Sequence, residues 1–74
     1  MSNGRSTLLS PAERRALSLS GTGLVVSDVA AIMGVPPDLV RTWLGSAVQK
    51  LRARSKLEAV ILAVRTGQID LPTP

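Results

Sequence analysis

Gly34-Val35-Pro36-Pro37 constrains this chain more than any other stretch. Gly34 readily takes the left-handed backbone conformation that stops a helix. Two prolines forbid that helix from continuing, and Pro37 pre-sets the backbone for the first turn of a new one. Val35 plugs the turn between them. Upstream, Val29, Ala30 and Met33 recur as one buried face, which predicts a short helix from roughly Val26 to Met33. Downstream, Val40, Leu44, Ala47, Val48 and Leu51 repeat at helical spacing with Trp43 flanking them, which predicts a helix from Pro37 to about Arg52. The opposite side of that helix holds Asp38, Arg41, Thr42, Gly45 and Gln49, a polar face that is small around Gly45 and Ser46.

Two further helices flank this pair. Ser10-Pro11-Ala12-Glu13 has the spacing of a capping box with Pro at the first helical position. It opens a helix to about Ser20, with Ala16 and Leu17 inward, and Gly21-Thr22-Gly23 closes it. Ser55-Lys56-Leu57-Glu58 repeats the capping-box spacing and opens a last helix to about Thr66, which Gly67 ends. No strand alternation and no internal repeat interrupts the pattern, so the expected fold is all-α with four helices. The expected organisation is an N-terminal tail over 1–8, a helical domain over 9–69 and a C-terminal tail over 70–74.

A chain of 74 residues makes at most one domain, and one with a thin stability margin. It has no Cys and no His. Disulfides, thiolate-metal sites and the commonest general base are thereby excluded, and Ser and Thr have no ordinary base to activate them. The five acids are scattered and mostly sit at helix starts. No metal, cofactor or enzymatic activity is expected. No apolar run is long enough to span a bilayer, and Met1 to Thr7 lack the apolar stretch of a signal peptide, so a cytoplasmic protein without membrane contact is expected. Charge is more telling. The net charge is +4, and between Arg41 and Lys56 there are five cations (Arg41, Lys50, Arg52, Arg54 and Lys56) and no acid. A cationic helix with a basic loop behind it is the electrostatic footprint of a nucleic-acid binder.

Two helices joined by a Gly-containing turn, the second basic and polar on one side, describe a helix-turn-helix. The landmarks of the chain resemble the LuxR/NarL-type (GerE-like) domain. They run through Leu9-Ser10-Pro11-Ala12-Glu13 to Leu17, then Gly23 through Val29-Ala30 to Met33. Leu39-Val40-Arg41-Thr42-Trp43, Ala47 and Lys50-Leu51 follow, and then Lys56 through Glu58-Ala59-Val60. The match needs no gaps over about residues 9 to 69. It implies a bacterial DNA-binding transcriptional regulator with its third helix in the major groove, paired with a second copy through its last helix. The chain departs from the family pattern where Val25-Val26-Ser27-Asp28 replaces a capping Ser and a phosphate-contacting Lys. It departs again where Leu39 replaces a Thr and Trp43 a His.

By that resemblance Arg41 takes a groove-facing lysine position, from which Arg can grip guanine O6 and N7. Thr42 and Gly45 follow on the same face as base contacts, Thr42 against a thymine methyl and Gly45 by permitting close approach. Ser27, Gln49, Lys50, Arg52, Arg54 and Lys56 are the expected phosphate contacts, with Lys50 matching the family's Lys-Leu pair. Trp43, the only aromatic residue, is expected to pack rather than to stack on bases. The last helix is apolar almost all round, so it must be buried on more than one side. A homodimer with Ile61, Leu62 and Arg65 at its interface provides the second cover. The competing reading is a helix-turn-helix that has lost DNA affinity and docks on another regulator or a polymerase subunit. Val25, Val26 and Leu39, in place of polar contact residues, motivate it.

Overall fold

A computed structural model describes residues 8–70, and residues 1–7 and 71–74, where most of the two expected tails fall, lie outside the described residues. Four helices follow one another: α1 (Pro11–Gly21), α2 (Val26–Met33), α3 (Pro37–Lys50) and α4 (Lys56–Arg65), and no described residue is in a strand. α3 packs on all three of the others, and α1 also meets α2 and α4.

Local chemistry sets the ends of these helices. Ser10 caps α1 by accepting from the Glu13 amide, while the Glu13 carboxylate accepts from the Ser10 amide, so the first capping box is complete. Val25 stands at the N-cap of α2, where a polar cap is missing, and makes no side-chain hydrogen bond. Gly34 then ends α2 in the left-handed region at φ 71°, with the Val35 amide reaching back to the Ala30 carbonyl. Three helix ends share this backward-reaching amide pattern, at Gly34, Arg52 and Gly67, and only Arg52 does so without a glycine, at φ 55°. The left-handed turn at Arg52 is why α3 stops at Lys50, two residues short of the sequence expectation. An L-residue held there costs about 1–2 kcal/mol.

The core gathers one stripe from each helix: Ala16 and Leu17, Val29 and Ala30, Val40, Leu44 and Ala47, then Ala59, Val60 and Ala63. Leu17, Val29 and Val40 are the largest side chains to be fully buried, each stabilising the fold by about 1.5–3 kcal/mol relative to exposure. Trp43 is half-buried and lies against this cluster. The ends of the domain close on it as well. Leu9 and Ile69 are buried, the Leu9 amide donates to Gln68 Oε1 at 2.7 Å, and Ser18 Oγ donates to the Asp70 carbonyl. No described helix is long and apolar enough to cross a membrane.

Candidate nucleic-acid interface

Every residue of the polar side of α3 is exposed: Asp38, Arg41, Thr42, Gly45 and Gln49. At 3.6 residues per turn these positions fall within an arc of about 100°, so they form one strip along the helix. Nothing among the described residues requires a glycine within it. A Cβ built on Gly45 meets no heavy atom within 4 Å, and a mid-helix glycine is about 1 kcal/mol less favourable than alanine. At the start of the strip Arg41 Nη1 donates to Asp38 Oδ1 at 2.8 Å, and Thr42 Oγ1 donates to the Asp38 carbonyl at 3.1 Å.

Beyond the other end of α3, Arg52, Arg54 and Lys56 are all exposed and make no ion pair among the described residues. The turn that carries them is fixed from below. Ser55 Oγ accepts from the Glu58 amide, and Glu58 Oε1 accepts from the Arg54 amide at 2.7 Å. The second capping box is therefore half-formed, because its carboxylate bonds one residue upstream of the expected Ser55 amide. Ser27 is exposed as the second residue of α2.

Lys50 departs from its expected place among the phosphate contacts. It lies a further 100° round α3 from Gln49, which turns it toward α1. There Nζ donates to Glu13 Oε1 at 2.9 Å and to the Leu8 carbonyl at 3.4 Å. Glu13 is 5% exposed, and Ser46, one turn before Lys50, donates its hydroxyl to the other carboxylate oxygen. Burial pushes the Glu13 carboxyl up. The hydrogen bonds from Ser46, Lys50 and the Ser10 amide, with the charge of Lys50, outweigh it and hold the group down at about 2 against an ordinary 4.5. This three-residue clasp between α1 and α3 was not anticipated from the sequence. A signal existed, since Glu13 continues the spacing of Ala16, Leu17 and Ser20 and so belongs to the inward stripe of α1. Its capping role, already sufficient to explain an acid there, masked it.

Leu62 also departs from expectation, being half-buried, whereas Ile61 and Arg65 are exposed as expected of their strip. The uncovered apolar stripe of α4 is Leu57, Ile61 and Val64, exposed by 70%, 47% and 41%. Those three stand at i, i+4 and i+7, and Leu62 lies about 100° away from Ile61.

Comparison with known proteins decides the family. The model of the bacterial regulatory proteins of the luxR family, GerE, matches residues 7–63. The chain belongs to that family. Among solved structures, one titled "Structure of Transcription factor, GerE" superimposes with a TM-score of 0.82 at 22% identity, over 86% of this chain and 96% of that one. At that identity the likeness speaks for the fold: the four helices are those of a GerE-type helix-turn-helix. No curated protein matches the chain. The luxR family is one of DNA-binding transcription regulators and not of enzymes. α2 and α3 are consecutive helices joined across Gly34, Val35 and Pro36, and the exposed strip lies on α3.

Proposed function

We propose that this luxR-family domain binds double-stranded DNA by laying α3 in the major groove, as one half of a homodimer joined through α4. The carrying observation is the unobstructed strip of Asp38, Arg41, Thr42, Gly45 and Gln49. A B-form major groove, about 12 Å wide, admits a helix only where that helix is not covered by its own chain. Arg41 reads guanine, Thr42 meets a neighbouring base, and Gly45 lets the backbone come close. Ser27 on one side, Gln49 at the edge, and Arg52, Arg54 and Lys56 in the trailing turn neutralise or hydrogen-bond phosphates. Lys50 acts one step back, holding α3 against α1 through Glu13. The left-handed Arg52 supports this assignment, because a strained and exposed cation where glycine would relax the turn calls for a functional reason.

The test is fluorescence anisotropy of the whole chain on duplex DNA across a salt series. Affinity should fall with salt by about 0.9 logarithmic units per decade for each neutralised phosphate. Removing Arg52, Arg54 or Lys56 should each shallow that slope, whereas Lys50→Met should leave it unchanged. Arg41→Ala should weaken binding to a preferred duplex by about 5- to 150-fold, the worth of one bidentate base contact. Binding indifferent to both salt and Arg41 overturns the reading. Gly45→Ala separates fold from function: it should raise stability by about 1 kcal/mol and weaken DNA binding.

The dimer is supported by the stripe of Leu57, Ile61 and Val64, which nothing within the described residues covers. Sedimentation equilibrium of Ile61→Glu should give a lower mass than the parent chain; equal masses remove α4 as the interface. A protein-docking role is favoured by one observation, the exposure of Val25, Ile32 and Leu39 near the helix-turn-helix. The anisotropy series decides against it if duplex binding is seen.

A further inference from the structure

Asp38 is the only acid on the strip that α3 presents, and the fold makes little use of it. Its side chain is 96% exposed. It caps no helix, since Pro36 holds the N-cap of α3 and no side chain bonds there. A carboxylate on a surface that meets DNA repels phosphate, so by charge alone it opposes the reading given above. What it does make is the 2.8 Å ion pair with Arg41, the residue assigned to guanine.

We infer that Asp38 is the specificity-determining residue of this interface, setting how strictly the Arg41 contact is enforced; the inference rests on α3 being the DNA-reading helix. Three physical points carry it. The pair cancels the charge of the first turn of α3, so general attraction to phosphate is left to Arg52, Arg54 and Lys56 at the far end. Pairing through Nη1 restricts the Arg41 side chain yet leaves other N–H donors of its planar fork for guanine O6 and N7. The second carboxylate oxygen accepts only from a donor, and the one donor on a base edge in the major groove beside a guanine is the cytosine or adenine amine. A duplex that puts guanine O6 or thymine O4 where that amine should lie therefore meets an uncompensated carboxylate, besides any contact Arg41 loses. Selectivity thus comes from repelling wrong sequences as much as from gripping the right one. Thr42 adds to this, because its hydroxyl proton is already given to the Asp38 carbonyl and is not offered to any base indiscriminately.

The experiment uses the whole chain and a duplex library with a randomised central segment, from which bound DNA is sequenced. Dissociation constants are then measured for the enriched duplex, its single-base variants and a scrambled duplex. Asp38→Ala is compared with Asp28→Ala, which removes the same charge from the exposed face of α2. Circular dichroism checks that both variants keep the fold. Asp38→Ala should bind the scrambled duplex about three- to tenfold more tightly. It should also lose about tenfold of its discrimination at one or two adjacent base pairs, whereas Asp28→Ala shifts all duplexes by one common factor. The inference is overturned if Asp38→Ala also shifts every duplex equally, with the enriched sequence unchanged. If the parent chain enriches no sequence at all, the DNA-reading assignment of α3 fails first and this inference with it.

Discussion

Ser10-Pro11-Ala12-Glu13 and Ser55-Lys56-Leu57-Glu58 begin two helices of one small domain with the same spacing of hydroxyl and acid, yet the two acids end in different surroundings. The first half of each motif is the same, with the serine oxygen accepting from the amide three residues on at 3.1 Å in both. The glutamates differ. Glu13 bonds the amide of its own capping serine and is then enclosed by Ser46 and Lys50 of α3. Glu58 stays half-exposed and bonds the Arg54 amide, one residue before its serine. The backbone gives the reason for that offset, since Ser55 is more extended at φ −156° than Ser10 at φ −69°. The same local pattern therefore makes a tertiary clasp where another helix crosses it, and an ordinary turn where only a loop runs past.

The largest expected effect tests that contrast directly. Glu13→Gln strands the Lys50 ammonium against α1 and should lower stability by about 3 kcal/mol, whereas Glu58→Gln should lower it by about 0.5–1.5 kcal/mol. Urea midpoints at unchanged m-value measure both, and equal losses break the comparison. Acid should reproduce the difference in the parent chain. The folded pKa of Glu13 is about 2 against an ordinary 4.5, so the unfolded chain takes up the proton first. The stabilisation is complete above about pH 4.5 and is lost as pH falls toward 2, a change of about 3 kcal/mol. Glu13→Gln should flatten that limb of the stability profile. The smallest effect sharpens the part the two motifs share. Ser10→Ala and Ser55→Ala should each cost about 1 kcal/mol, and thermal unfolding that separates the pair widely would mean that capping, too, depends on tertiary context.

Much of the domain was legible along the chain. The prolines after Gly34, the capping serines and the spacing of Val40, Leu44 and Ala47 act within a few residues of one another, so the order of four helices and the inward stripe of α3 could be read directly. The strip that faces away from the core followed from the same spacing, which is why Arg41, Thr42, Gly45 and Gln49 all proved exposed. Ends and partners were less legible. Arg52 gave no sign of a left-handed turn, because glycine is the usual mark of one. Leu62 and Ile61 are equally apolar, and only the rotation of α4 against α1 and α3 decides which of them is covered.

The sequence by itself determined where the helices start, which side of each is apolar, and that a basic stretch follows the second helix of the pair. Those properties come from backbone sterics, short-range hydrogen bonds and periodicity. Only the tertiary structure decided that Lys50 serves α1 while Arg52, Arg54 and Lys56 make no ion pair among the described residues, and that one glutamate is enclosed and its counterpart is not. Charges act through space, and the partner of Glu13 is set by which helices cross, a relation to the distant Lys50 that no local pattern encodes.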